Sequence, residues 1–323
     1  MRDTLGGGVA VWDRFWFTPQ STAPLAVLRV AFALIVLGWT VSLSTGLYTF
    51  LSPHGLLPQQ PNLSQIVYPG AWGFLGTFTS QGALLATYIV LLVAAFLLLI
   101  GLGTRAAAVV VFLCLLALER RDPWVLNSGD ILIRVLAFYV MLAPTGAALS
   151  VDRWLRVRRS GEPWLAFPLR SGWTLRLLQV QLSLVYISAF WDKTGGETWR
   201  AGTAVSYAFR IGDLHRFPLP HWLLTSPDAS TLMTYGTLVI EFGLGFLVWN
   251  RILRPWLLLL GIALHLGIDY TTRVGFFSYA VIALYLAFVP PERIEQLAAA
   301  IRGRLARGVA AEAPAAAGAP EPL

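Results

Sequence analysis

The sequence has few charged residues and a single cysteine. Only 13% of its 323 residues are Asp, Glu, Lys or Arg, whereas soluble domains carry roughly 25%. A water-facing surface cannot be covered from this composition, which excludes a soluble globular enzyme. The one cysteine, Cys114, lies in an apolar run, so neither a disulfide nor a thiol redox pair can form within the chain.

Motifs for metal or nucleotide chemistry are also missing. The four histidines, at positions 54, 215, 221 and 265, lack the spacing of zinc sites, and neither GxxxxGK[ST] nor HExxH occurs. The net charge of +7 comes from arginines in short connections beside apolar runs, which is typical of membrane topology rather than of nucleic-acid binding. We therefore expect no metal site and no nucleic-acid partner.

Long apolar runs are what the sequence does have. Apolar residues make up 56% of the chain, and runs of about 20 of them can cross a hydrocarbon core about 30 Å thick. They predict an all-α fold, a polytopic integral membrane bundle of about eight transmembrane helices. The predicted spans are 23–44, 83–103, 106–118, 130–149, 172–190, 231–249, 255–270 and 275–289. The short span 106–118 is the weakest, and everything after it would invert if it were re-entrant.

The distribution of basic residues predicts the orientation. The connection 45–82 contains no Lys or Arg, so the positive-inside rule places it outside and both termini in the cytoplasm. We therefore expect a multi-pass protein of the bacterial inner (plasma) membrane, with the lipid bilayer as its main partner. The predicted parts are an N-terminal interfacial segment (1–22), the transmembrane domain (23–290), an amphipathic cytoplasmic helix (291–309) and a disordered tail (310–323).

Ionisable side chains inside the predicted spans are candidate functional groups, because burying a charge in the bilayer costs a few kcal/mol or more. Arg29, Arg134 and Arg176 lie near the ends of their spans, where a long side chain can also simply reach the interface. Asp130 and Arg134 are four residues apart on one helix, which predicts a structural ion pair.

Two further groups lie in the middle of predicted spans. Glu241 is too short to reach water from there and must pair, take up a proton or face a wet cavity. His265 also lies on an apolar face, where a lone histidine is more often a satisfied core residue than a functional one. The sequence leaves both readings of His265 open.

Twenty-three of the 24 basic residues are arginine, and the exception is Lys193. It lies in the segment 189–202 at the outer end of a predicted span, where glycines end the helix and Trp191 and Trp199 lie at interfacial depth. A lysine can anchor a helix as arginine does, but unlike arginine it can lose its proton and act as a base. Neighbouring carboxylates favour the charged ammonium and Arg200 opposes it, so only geometry decides between these roles.

Several short stretches carry a family resemblance in their order along the chain. They are residues 23–32 (APLAVLRVAF), 54–58 (HGLLP), 124–130, 150–152 (SVD), 193–202, and His265 with 275–279 (GFFSY). Together they resemble the horizontally transferred transmembrane (HTTM) family, whose best-known relative is the membrane part of vitamin K-dependent γ-carboxylase. The resemblance extends from about residue 14 to residue 290.

The resemblance implies a chemistry. In the carboxylase, the lysine that matches Lys193 deprotonates a vitamin K hydroquinone, which then reacts with O2 to give a strong base and an epoxide. The resemblance implies Lys193 as the catalytic base, His265 and Arg29 near the same outward-facing cavity, and a reduced menaquinone or vitamin K-type quinol with O2 and CO2 as cofactors. Where the carboxylase has an Asn-His pair, this chain has Asn127 followed by Ser128, so the histidine is missing.

Three functional hypotheses follow. The favoured one is a membrane-embedded enzyme that performs quinol-linked oxygenation or base generation and modifies a lipid or a small secreted peptide. The second is a non-catalytic membrane factor for the maturation or export of a secreted peptide, and the third is a transporter. Candidate cavity residues beside Lys193 are Arg29, Asp130, Arg134, Trp199, Glu241, His265 and Tyr279.

Overall fold

The computed structural model describes residues 2–56, 73–122 and 124–312, and helices dominate it, which confirms the predicted all-α class. Two short strands, Pro19–Ser21 (β1) and Leu169–Ser171 (β2), pair antiparallel. The helices are α1 Arg2–Phe17, α2 Ala23–Leu43, α3 Leu47–Leu51, α4 Gln81–Ile100, α5 Thr104–Arg121, α6 Ser128–Leu142, α7 Val151–Val157, α8 Trp173–Gly195, α9 Glu197–Arg200, α10 Ala204–Ala208, α11 His221–Thr225, α12 Pro227–Phe242, α13 Arg254–Thr271, α14 Phe277–Tyr285 and α15 Pro291–Glu312.

Among the residues that the structure describes, three helices are long and apolar enough to cross a membrane. They are α2, α4, and α12 together with the turn that extends it to Leu247. Each of the eight predicted spans overlaps a helix. The number of eight crossings and the cytoplasmic location of both termini stay predictions.

Some predicted boundaries need correction. The short span 106–118 belongs to an 18-residue helix, α5. The span 130–149 was predicted too long, because α6 ends at Leu142 and Ala143 is extended (φ −81°, ψ 148°) in front of Pro144, as residues before proline usually are. Helix α15 runs to Glu312, three residues past the predicted end of the amphipathic helix at 309, and the disordered tail stays a prediction. Residues 313–323, like part of the predicted outer loop (57–72), lie outside the described residues.

The bundle has two distinguishable ends. Helices α2 and α8 each begin just after one strand of the β1–β2 pair, so they start at the same end, which we call the Arg29 end. From Trp173 to Lys193 the helix rises about 30 Å at 1.5 Å per residue. Lys193 therefore lies at the opposite end, which we call the Lys193 end.

The core lies where α2, α4, α5, α6 and α14 pack against one another. Helices α4 and α5 make the most extensive contact, and both bury alanines, at positions 94, 95, 107 and 108. Small residues let helix backbones approach closely, which matters in lipid because apolar burial drives little association there. The larger buried side chains include Leu28, Phe32, Leu91, Leu98, Leu115, Ile133 and Phe288.

A polar contact closes the turn between α4 and α5 at the Arg29 end. Gly101 takes a left-handed conformation (φ 72°) that favours glycine. Asp152 Oδ1 accepts a hydrogen bond from Gly103 N (2.8 Å), while Oδ2 accepts from Thr104 N (2.8 Å) and Thr104 Oγ1 (2.7 Å). The carboxylate therefore satisfies amides at the start of α5 that have no partner within the helix.

These contacts set the charge state of Asp152. Burial alone would raise the pKa of its carboxyl, but the hydrogen bonds from Thr104 and Gly103 and the charge of Arg156 outweigh burial, so the pKa lies below its ordinary value of 3.8. The unfolded chain then binds this proton more readily than the folded one. Asp152 accordingly stabilises the fold above its unfolded pKa, and the contribution is lost as the pH falls through its folded pKa.

Asp152→Ala is expected to lower the free energy of unfolding at pH 7 by about 1–2 kcal/mol, because amides at the start of α5 lose their acceptor. The difference from the wild type should shrink as the pH drops below 3.8. Denaturant unfolding in detergent at a series of pH values measures both effects. Asp228→Ala, at an exposed aspartate in the first turn of α12, is the control. A constant Asp152→Ala difference between pH 7 and pH 2 would contradict the assignment.

Candidate functional site

Lys193 forms an ion pair with a carboxylate from another helix. It lies in the last turn of α8, which ends at Gly195. Its Nζ donates a hydrogen bond to Glu241 Oε1 on α12 at 2.9 Å, and the two side chains are 25% and 9% exposed. The Trp199 ring lies 5.4 Å from Nζ, within the range of a cation–π contact. Of the alternatives open to Glu241, the structure shows pairing.

A change of helix type begins two residues after Glu241. Helix α12 passes into a π-helical turn, Gly243–Leu247. Such turns are rare in proteins overall, and those that occur are often found at functional sites. A Cβ at Gly245 would lie 3.0 Å from Ile187 Cγ1 on α8. Glycine there lets the π-helical turn after α12 approach α8 closely, and this approach brings Glu241 within reach of Lys193.

His265 belongs to a buried group of three polar rings. Its Nε2 lies 2.7 Å from the Tyr186 hydroxyl, which also hydrogen-bonds the hydroxyl of Tyr285. All three side chains are at most 3% exposed. Tyr186 precedes Lys193 by seven residues, so both lie on one side of α8, two turns apart. The Lys193–Glu241 pair and the group of three rings therefore lie along the same face of α8, about two turns apart.

Two buried polar atoms near this face are unpaired. Glu241 Oε2 and His265 Nδ1 have no hydrogen-bond partner among the described residues. A buried polar atom without a partner costs roughly 1–3 kcal/mol, so such atoms call for an explanation. One explanation is a ligand that supplies the missing donor or acceptor.

Tyr279 takes part in a separate contact. Its hydroxyl donates to Asp269 Oδ2 at 2.9 Å, and Arg216 Nη2 lies 2.9 Å from Asp269 Oδ1. Asp269 follows His265 by four residues on α13, which places both on one helix face. Asp269 therefore holds the predicted candidate Tyr279 about one helical turn of α13 away from His265.

The predicted ion pair between Asp130 and Arg134 was wrong. Asp130 Oδ1 accepts from Trp39 Nε1 (2.7 Å) and Oδ2 accepts from Asn127 N (2.8 Å), while Arg134 Nη1 pairs with Glu119 Oε2 (2.8 Å). Asp130 is in the first turn of α6, where its carboxylate completes a capping box with Asn127. The capping geometry turns the carboxylate away from the residue one turn later.

Arg29 does not lie near Lys193, which corrects the expectation drawn from the resemblance. Its side chain is fully buried, Nη1 donates to the Thr145 carbonyl at 3.3 Å, and Nη2 donates to the Leu149 carbonyl. Both acceptors follow the end of α6, at the Arg29 end of the bundle. Arg29 is therefore buried against the connection that follows α6 and does not join the Lys193 site.

Three clefts of the bundle are lined by other residues. One of about 230 Å³ lies beside Trp39, Glu119 and Asp130; another, of about 580 Å³, lies along α12 from Asp228 to Ile240. The third, of about 470 Å³, is at the Arg29 end. None of these clefts is lined by Lys193, Glu241 or His265. Within the described part of the chain, no group of three or more His, Cys, Asp or Glu side chains is placed to hold a metal ion.

Comparison with known proteins agrees with the sequence resemblance. The model of the HTTM domain matches residues 17–292, a stretch that contains Lys193, Glu241 and His265. No solved structure matches the chain. Because the matched stretch covers most of the 323 residues, the chain belongs to the HTTM domain family.

Proposed function

We propose that this protein is a membrane-embedded enzyme of the γ-carboxylase type, in which Lys193 is the general base of a quinol-linked reaction. The observation that carries the proposal is the hydrogen bond between the only lysine of the chain and a buried glutamate. The family supplies the kind of reaction. The proposed substrate to be modified is a secreted peptide or a lipid, and the proposed site faces away from the cytoplasm.

The residues present fit a quinol in their donor and acceptor chemistry. A quinol hydroxyl can donate to a carboxylate oxygen such as Glu241 Oε2 or accept from a ring N–H such as that at His265 Nδ1. Both are buried atoms near the pair that have no partner among the described residues. The Trp199 ring, 5.4 Å from Lys193 Nζ, offers an apolar ring face close to the pair. When bound, a reduced quinol would supply the acidic hydroxyl and the electrons for reaction with O2.

The ion pair gives Lys193 a way to become a base. As an ammonium it cannot accept a proton, but transfer of one proton along the 2.9 Å hydrogen bond to Glu241 leaves a neutral amine and a carboxylic acid. The Glu241 side chain is only 9% exposed, and its low-dielectric surroundings make this transfer less costly than it would be in water. The amine lone pair at Nζ can then accept a proton from a substrate hydroxyl in contact with it.

The ring group has a positioning role in this proposal. Tyr186 holds His265 through Nε2, which leaves Nδ1 to contact a substrate. A Cβ at Gly261 would lie 2.4 Å from the Tyr285 hydroxyl, so glycine is needed there for Tyr285 to reach Tyr186. The group thereby fixes the histidine about two helical turns from the level of Lys193.

The test is oxygen uptake and epoxide formation by the purified protein in lipid, supplied with a reduced naphthoquinone. The wild type is expected to turn over, and Lys193→Ala is expected to fall to the uncatalysed rate because the base is gone. CO2 incorporation into candidate peptides or lipids would then identify what is modified. Equal background rates for the two proteins, with both folded, would refute the enzyme and favour a non-catalytic role in peptide maturation.

A further inference from the structure

The largest polar cleft of those described above lies at the Arg29 end, far from Lys193. It measures about 470 Å³, within the range of about 300–1,000 Å³ that is usual for small-molecule sites. Its walls come from the start of α5, the connection after α6, α7, and the β2–α8 junction. Four charged residues line it: Arg105, Arg156, Arg170 and Asp152.

The charge of this cleft is positive. Asp152 already accepts three hydrogen bonds at the start of α5, which disperse its negative charge. Arg105 and Arg156 are exposed, and neither forms a salt bridge within the described residues. The cleft therefore has three guanidinium groups and only one carboxylate, whose oxygens already accept hydrogen bonds. The guanidinium groups keep N–H donors for an anion, and they are well suited to bind phosphate oxygens.

A buried hydroxyl in the cleft wall also lacks a partner. Thr174 is 3% exposed, and its Oγ1 has no hydrogen-bond partner among the described residues. It lies in the first turn of α8, a 23-residue helix whose N-cap, Gly172, offers no side chain to the first amides. A helix N-terminus favours an anion, and the unpaired Thr174 hydroxyl independently indicates a ligand with an acceptor oxygen.

We infer that this cleft binds the phosphodiester headgroup of an anionic phospholipid. One part of the remaining lining is apolar, with Leu142, Ala143, Pro144 and Ala147 beside Trp173, while Thr104, Thr145 and Ser171 add hydroxyl groups. The apolar part suits the glycerol and the first methylenes of a lipid better than a free, fully hydrated phosphate. Basic pockets between helices of a membrane bundle are a known mode of acidic-lipid binding. The site is independent of the chemistry proposed for Lys193.

The test compares two double variants of the full chain. Arg105→Gln/Arg156→Gln removes two cleft arginines, whereas the control Arg158→Gln/Arg159→Gln removes two exposed arginines just outside the lining. Binding of phosphatidylglycerol to the protein in phosphatidylcholine nanodiscs is measured by native mass spectrometry. The cleft variant is expected to bind about thirtyfold more weakly than the wild type, and the control to stay within about twofold.

A third variant and a competitor complete the test. Thr174→Val keeps the volume but removes the hydroxyl, and it is expected to weaken binding about tenfold, the effect of one hydrogen bond to a charged group. Millimolar inorganic phosphate should fail to displace the lipid. Equal losses in the two double variants would mean that charge alone attracts the lipid and would overturn the site. Full displacement by inorganic phosphate would overturn the lipid as its ligand.

Discussion

Lys193→Arg is expected to lower quinol-dependent oxygen uptake by about 10²–10⁴-fold, the range that a positioned general base contributes. Arginine keeps a positive charge opposite Glu241, so the ion pair that joins α8 to α12 persists and the protein folds. What arginine cannot do is release its proton to Glu241 and accept one from a substrate. Oxygen uptake and epoxide formation with a reduced naphthoquinone in lipid measure the effect, and thermal unfolding in detergent verifies the fold.

The control moves the lysine instead of removing it. Arg210 is an exposed arginine in the segment between α10 and α11. Arg210→Lys alone should keep the activity within about twofold of the wild type, since exposed surface substitutions seldom matter. Lys193→Arg combined with Arg210→Lys restores the number of lysines and should stay inactive. A fully active Lys193→Arg would remove Lys193 from the chemistry, whatever the wild type does with quinols.

The helices could be predicted from the sequence because the apolar runs are long and the breaks between them contain Pro, Gly and charges. The failure at 130–149 is instructive, since the run stays apolar through Ala143 and only the conformation imposed by Pro144 ends α6 at Leu142. The apolar composition alone does not reveal such an end. The orientation of the bundle rests on counting arginines and is a prediction that side-specific labelling can test.

The candidate site was only partly predictable. Lys193 could be identified as a candidate because it is the only lysine of the chain. Glu241 could be expected to need a partner, because a carboxylate in the middle of a span is costly. That the two are partners could not be read from the sequence, because 48 residues separate them and only the packing of α12 on α8 joins them. Tyr186 and Asp269 were missed, although seven residues before Lys193 and four after His265 are spacings that share a helix face.

Arg29→Met is expected to lower the free energy of unfolding by about 3–5 kcal/mol, because two buried carbonyls each lose a hydrogen bond from a charged donor. Methionine fills much of the volume but donates no hydrogen bond, so the carbonyls of Thr145 and Leu149 lose their donor. Leu149 is in the left-handed region (φ 49°), which is costly for a residue with a side chain, and the bond from Arg29 helps to hold it there. Denaturant unfolding in detergent measures the change.

Two further variants distinguish a structural role of Arg29 from a catalytic role. Arg159→Met, at an exposed position near the same end, should change the free energy of unfolding by no more than about 0.5 kcal/mol. Arg29→Lys should fall between the two, because an ammonium keeps the charge but lacks the planar fork that reaches both carbonyls. If Arg29→Met unfolds like the wild type yet loses turnover, Arg29 acts on the reaction after all. Its distance from Lys193 predicts the opposite, a less stable protein whose remaining folded fraction still turns over substrate.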